Sequence, residues 1–284
     1  MKREVLQVRR LTGCVILAVL GAVAIGCNTT LIGGYWQPAI ESTQTSGVGG
    51  GAVDVASGLG VKPDEDWALY YELIGEEGAR AGQRLRLSYM RAIGTGSVTN
   101  TSGSDFTFGA VVAEGTDTDQ LESSMQVETI SIFWEPSFVS TSNLRLRLVL
   151  GASMLQTRLN VRNVTDTEAQ LAAVPDSTSS LVDLGLDYVP VPLWGAMAEV
   201  GLNTNIKLHV RWLVFDAKSM RPDENFIGTV TNWEAGVLFG GLSGLRGFLG
   251  YRNFNASYTY DGAGGQDECD TTVSGMGAAV DLRF

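Results

Sequence analysis

The feature that most constrains this chain is an alternation of apolar and polar residues sustained over segments of ten residues and more. Residues 143–154 read N-L-R-L-R-L-V-L-G-A-S-M. Leu144, Leu146, Leu148, Leu150, Ala152 and Met154 share one parity, while Arg145, Arg147, Gly151 and Ser153 share the other. Side chains on a strand point alternately to opposite faces, so this segment is a strand with one apolar and one polar face. No stripe of helical period fits that spacing. The alternation recurs in residues 194–202, 206–215, 233–239, 245–252 and 276–284. Residues 125–138 are less regular. Glu128 and Glu135 fall on opposite parities, which calls for a bulge or a rim position.

Ten segments fit this reading, at about 31–44, 67–74, 84–97, 125–138, 143–160, 191–202, 206–216, 227–240, 245–260 and 272–284. The first is the weakest, because Gly33, Gly34 and Pro38 interrupt it. The gaps at 75–83, 139–142, 203–205 and 241–244 are short. They alternate with longer polar gaps at 45–66, 98–124, 161–190, 217–226 and 261–271. That rhythm is expected of an all-β, antiparallel up-and-down transmembrane barrel with tight turns on one side and long loops on the other. The expected strand count is ten, with eight as the alternative. An even count puts both chain ends on the periplasmic side.

Periodicity alone does not say which face points outward. A soluble sandwich hides its apolar face, whereas a barrel in lipid exposes it. Segments longer than ten residues favour the barrel, since soluble strands are usually about 5–6 residues and spanning strands about 9–11. So does the N-terminus. Lys2, Arg3, Arg9 and Arg10 precede a twelve-residue apolar run, CVILAVLGAVAI, from Cys14 to Ile25. A basic region followed by a short apolar one is a secretory signal, and twelve residues are too few to span a bilayer as a helix. Two cleavage sites overlap. Ala22-Val23-Ala24 fits ordinary signal peptidase, and Ala24-Ile25-Gly26-Cys27 resembles the bacterial lipobox, which would make Cys27 a lipidated N-terminus. The expected division is a signal peptide over 1–26 and a barrel over 27–284. Removing the signal moves the net charge from −11 to −14.

That acidic balance argues against nucleic acid as a partner, which needs a basic face. The 44% of hydrophobic residues argue against disorder. Of the 31 acidic residues, twenty fall in the five long gaps or at their edges, Asp54, Asp105, Asp119, Asp183, Asp187 and Asp267 among them. Such loops could recruit divalent cations, but none has the ligand spacing of a dedicated calcium loop, and a solvated surface is the plainer reading. No metal site and no cofactor is expected. Cys269 falls in the last long gap. On this topology it is an outer-loop thiol, separated from Cys27 by the membrane and too far away for a disulfide.

The chain ends in Phe284 on an alternating strand, with Val280 and Leu282 before it. This ending resembles the assembly signal of bacterial outer-membrane barrels. The segments GYRNFNASYTYDG (250–262) and SGMGAAVDLRF (274–284) are similar to the closing hairpin of small uncharacterised outer-membrane barrels of the OmpA/OmpW-like class. VDVASGLGV (53–61), QRLRLSYMR (83–91) and SDFTFG (104–109) also look like that group. The resemblance implies an outer-membrane location, with lipid and the barrel assembly machinery as partners. It carries no catalytic motif.

If the apolar faces meet lipid, the opposite faces line the lumen. Basic candidates there are Arg84, Arg86, Arg145, Arg147, Lys207, Arg211, Arg246, Arg252 and Arg283. Acidic candidates are Glu72, Glu199, Glu234 and Asp281. In a narrow barrel such charges should pair, because an isolated buried charge costs several kcal/mol. The leading reading is a polar plug within a non-enzymatic barrel that has a structural or surface-interaction role. The alternative is a narrow pore that favours small anions, since the basic candidates outnumber the acidic ones. The one histidine, His209, is expected in the lumen between Lys207 and Arg211 with no orienting carboxylate, a poor setting for catalysis. Cys269 lacks the electropositive surroundings that activate a thiol.

Overall fold

The computed structural model describes residues 28–45, 52–63, 68–77, 82–100, 105–108, 111–113, 119–164, 181–216, 226–240, 245–262 and 265–283. For some of these, Glu72 and Arg283 among them, it describes the backbone alone. The signal region with Cys27, and Phe284 at the other end, lie outside the described residues.

Ten long strands carry the structure: β1 (Asn28–Thr45), β2 (Ala68–Glu77), β3 (Gln83–Thr99), β4 (Gln120–Trp134), β5 (Leu144–Asn163), β6 (Leu181–Gly201), β7 (Ile206–Asp216), β8 (Phe226–Phe239), β9 (Leu245–Gly262) and β10 (Gly265–Arg283). Each pairs antiparallel with the next, and β10 returns to β1 with Leu31 opposite Leu282 and Thr45 opposite Glu268. The β5–β6 pairing completes the circle, from Leu144–Val200 to Arg162–Leu181. The result is a closed ten-stranded up-and-down barrel, in which the ladder satisfies the long strands' backbone groups from within.

Four expectations need correction. β1 is unbroken despite its glycines and proline. Pro38 lies just past Trp36–Ala68, where the β1–β2 pairing ends, and proline is tolerated at such an edge. β4 stops at Trp134 rather than 138. Residues Ser137–Ser140 form a separate short strand on β5, reached through Glu135 and Pro136. The expected last outer loop is largely strand, because β9 and β10 pair as far as Gly262–Gly265. The expected third loop is shortened too, with Asp183 and Asp187 inside β6.

The outer wall has two belts. Near the short turns the outward side chains are apolar, as in Trp134 (46% exposed), Leu150, Trp194, Val210, Leu249 (51% exposed) and Val280. In β5 this belt runs from Leu144 to Met154. Ten residue steps of about 3.3 Å, tilted by about 40°, give a height of about 25 Å, which matches the apolar band of a membrane barrel. Phe239, opposite Ile206 at the start of β7, lies near its lower edge, and Trp134, opposite Leu150, lies within it. Toward the upper edge, Trp212 faces Trp233 across β7–β8, and the Trp233 ring lies 5.3 Å from that of Tyr251. Aromatic residues favour both interfaces of a bilayer.

Above the belt the apolar parity inverts. β4 turns Ile130, Ile132 and Trp134 outward, but buries Leu121, Met125 and Val127. β9 exposes Leu245 and Leu249, then buries Phe254, Ala256 and Tyr258. β4 keeps an unshifted register with both neighbours throughout, so no bulge lies between Glu128 and Glu135. Glu128 points outward above the belt, and Glu135 points inward below it. The expectation of an apolar outside and a polar inside therefore holds for the lower half alone.

The upper interior is filled by chain from two long loops. One insertion adds Ala52–Asp54 to β1 and Lys62–Pro63 to β3, joined through a helical turn, α1 (Val55–Gly58). Asp54 caps that turn, accepting from the Ser57 N–H at 2.7 Å. Its Val55, Leu59 and Val61 are buried against Trp36, Ile40 and Ala92. Gly96 permits the contact, since a Cβ there would lie 2.4 Å from the Leu59 carbonyl oxygen. The turn itself uses Gly60 at φ +64°. The second insertion is a small hairpin, Phe106–Phe108 with Val111–Ala113, whose Phe108, Val111 and Ala113 are fully buried.

Candidate functional site

The lower lumen holds a buried charge network built from strand positions of inward parity. At its centre is Glu135, which the sequence analysis did not place in the lumen. The carboxylate is wholly buried, 2.7 Å from Arg86 Nε, 3.4 Å from Arg84 Nη1 and 3.9 Å from Arg211 Nη2. Its carbonyl oxygen accepts from Arg147 Nη1 at 3.0 Å, and the same nitrogen donates to the Gly82 carbonyl at 2.7 Å. Arg147 thereby ties the β2–β3 turn to the end of β4. The signal that could have found Glu135 is its odd parity, shared with Phe133 and Ser131, directly before Pro136.

A second group surrounds His209. Its Nε2 lies 2.8 Å from Glu234 Oε1, and its Nδ1 lies 3.9 Å from Glu199 Oε1. The expectation that His209 lacks an orienting carboxylate is overturned. Strand pairing sets Glu199 directly opposite it on β6, and Glu234 lies two residues from its partner on β8. Arg252 Nη2 holds the other Glu234 oxygen at 2.9 Å, and Arg84 Nη2 reaches Glu199 at 3.4 Å. Arg84 and Glu199 thus join the two groups. The rings of Phe133 and Phe248 add a face to Arg211 (4.5 Å) and Arg252 (5.7 Å), and a guanidinium over an aromatic face gains a cation–π attraction.

The remaining lumen candidates lie at the edges of this network. Arg145 is opposite Glu199 across β5–β6, and Arg246 is opposite Asp281 across β9–β10. Lys207 is half-buried near the β6–β7 turn. The side chains of Glu72 and Arg283 lie outside those described. Val280 and Leu282 point outward from the closing strand. Two small cavities lie in the lower lumen among the described residues. A cavity of about 50 Å³ is bounded by Arg84, Glu199, His209, Arg246 and Asp281, and one of about 20 Å³ lies above it beside Arg211 and Asn232.

Cys269 is not a loop thiol. It is 3% exposed on β10, facing the upper interior, with Gln44 Nε2 donating to its sulfur at 2.8 Å and a hydrogen bond of 3.1 Å between its sulfur and Thr271 Oγ1. It pairs with Gln44, at the far end of β1 from Asn28. Of the acids expected in solvated loops, Asp119 is also buried, accepting from Asn163 Nδ2 at 2.9 Å. No cluster of three or more metal-ligating side chains occurs among the described residues.

No family model and no curated relative matches the chain. Among solved structures, the outer membrane protease OmpT from Escherichia coli aligns with a TM-score of 0.55 at 7% identity, covering 90% of this chain and 97% of that one. The transport unit of the autotransporter AIDA-I from E. coli aligns at 0.37 and 8% identity, covering 91% of each chain. The attachment invasion locus protein Ail of Yersinia pestis aligns at 0.31 and 8%, covering 90% of this chain and 99% of that one. At 7% identity the likeness to OmpT is one of fold. With the closed ring and its apolar belt already in place, the chain has the fold of an outer-membrane β-barrel.

Proposed function

We propose that this protein is a sealed, non-enzymatic scaffold of the outer membrane that presents the upper barrel and its loops to the outside. The observation that carries the reading is that the lumen is filled twice, by different chemistry. Ion pairs around Glu135 fill it below, and an apolar core including Leu59, Phe108 and Val111 fills it above. The floor cavity of about 50 Å³ has room for a water molecule or two, not for a hydrated solute or a peptide bond. Among the described residues, the groups around His209 include Glu199, Glu234, Arg252 and Phe248, a set with no hydroxyl or thiol nucleophile.

The test is a planar-bilayer recording of the refolded chain. Absence of unitary conductance supports the reading. Stable anion-selective conductance that is lost on charge reversal at Arg145 and Arg147 would replace it with a narrow pore. A hydrolytic activity abolished by His209→Ala in a folded barrel would replace it with an enzyme.

A further inference from the structure

Just above the apolar belt, the outward faces of the ten strands differ in charge. On β3, β4 and β5 the last apolar row is Tyr89–Ile130–Met154. The next outward row is Arg91–Glu128–Gln156, and the one above it is Ile93–Gln126–Arg158. On β10 and β1 the corresponding outward positions become neutral and then acidic, with Ser274, Thr272, Asp270 and Glu41. The basic side chains of the wall above the belt lie, among the described residues, on the β3–β5 side.

This basic sector is organised rather than scattered. Arg91 Nη2 donates to Gln126 Oε1 at 3.5 Å, and Gln126 Nε2 donates to Glu128 Oε2 at 2.9 Å. Glu128 and Gln156 are 5% and 4% exposed although both point out of the barrel. Surrounding side chains therefore cover them, with Arg91 beside Glu128 on one flank of β4 and Arg158 beside Gln126 on the other. A covered carboxylate beneath long cationic arms is a mount that limits where the guanidinium groups can go. One outward position, two residues along a tilted strand, raises a side chain by about 5 Å, so Arg91 stands about 5 Å above Tyr89 on β3 and Arg158 about 10 Å above Met154 on β5. That is the depth of lipid headgroups.

We propose that Arg91 and Arg158 bind the phosphate of a lipid headgroup in the leaflet surrounding the upper edge of the belt. Two planar guanidinium forks on either side of β4 can each offer paired N–H donors to phosphate oxygens. Tyr89 and Met154, one row below, are the surface on which the first part of the acyl chains rests. The acidic β10–β1 sector repels the same group, so the bound lipid occupies one side of the barrel.

The test uses the refolded full chain in phosphatidylcholine bilayers, with spin-labelled phosphatidic acid and spin-labelled phosphatidylcholine as probes of lipid held at the protein surface. Selectivity for phosphatidic acid is expected, falling about fivefold for each arginine lost in Arg91→Gln and Arg158→Gln. The Lys replacements should restore part of it, and Glu41→Gln on the far side should not reduce it. Heat-modifiable electrophoretic mobility verifies that each variant is folded, and the single variants decide the matter if the double one is not. Equal selectivity in the wild-type protein and a folded Arg91→Gln or Arg158→Gln barrel overturns the proposal. Displacement of the probe by inorganic phosphate also overturns it, by assigning the arginines to a soluble anion.

Discussion

The lower and upper halves of this barrel use the same ten strands with opposite polarity. Below, Leu249 and Val210 face outward while Glu135, Arg86 and His209 are shut inside. Above, Arg162 and Asn160 face outward while Leu155, Leu159 and Val161 are buried. Along β3, β4 and β9 the pleat runs through in unshifted register, while β6 carries a bulge opposite Leu155–Thr157; what changes along the wall is the surroundings, from hydrocarbon to water. The comparison teaches that apolar parity reports the solvent outside the wall. The cost of an interior follows from that. A lumen framed by lipid-facing residues can be polar, but its charges must then be paired. A turret in water needs an apolar core, which the two loop insertions complete.

The largest break in this comparison should come from Glu135→Ala. It leaves Arg84, Arg86 and Arg211 without their shared carboxylate, and losing one partner of a buried ion pair costs about 3–5 kcal/mol. Urea unfolding of the refolded barrel should show that loss, whereas Glu41→Ala, exposed on the outer face of β1, should cost far less. Equal losses would mean that the floor is hydrated. In the upper half, Leu59→Ala removes a fully buried side chain from the insertion, at about 2–5 kcal/mol. Limited proteolysis of the folded variant should then cut near residues 52–63, with the lower barrel intact.

A matched pair of arginines locates the boundary between the halves. Leu249→Arg places a charge in the apolar belt and should cost about 2–4 kcal/mol if that position is near mid-bilayer. Asn255→Arg, three outward positions higher on β9, should fall within about 0.5 kcal/mol of wild type. Similar costs at both sites would mean that the belt is misplaced.

The smaller effects concern the upper interior. Cys269, covered by Gln44 and Thr271, should resist maleimide on intact cells and also after the outer membrane is opened, and should react once the barrel is unfolded. Labelling of the folded protein would contradict its burial. Smaller still is the cap of the helical turn. The Ser57 N–H holds the Asp54 carboxyl below the ordinary carboxylate range. A depressed folded value stabilises above the unfolded pKa, and the benefit is lost as pH falls through the folded one. Protease sensitivity of residues 52–63 should therefore rise slightly at acid pH in the wild-type chain, and this pH dependence should be weaker in Asp54→Asn.

Period-two alternation determined that this chain makes long strands, ten of them, with short turns at one end. It also assigned Arg84, Arg86, Arg147, His209, Arg211 and Glu234 to one class of face, because parity along a strand is a local property. Parity can say which residues share a face, but it cannot say what that face meets. The inversion at Met154 and Leu155 was present in the residues, yet it has meaning only once closure shows that the same face changes from lipid to water along one strand. Pairing was equally out of reach. Glu135 meets Arg86 across 49 positions and Arg84 meets Glu199 across 115, contacts set by register between strands. The same holds for the carboxylates on either side of His209 and for the thiol of Cys269, whose burial depends on β9 and β10 zipping through what composition marks as a loop. Sequence alternation decides which way each side chain points; only the closed ring decides what it points at, because a ladder brings together residues whose separation along the chain carries no trace of their contact.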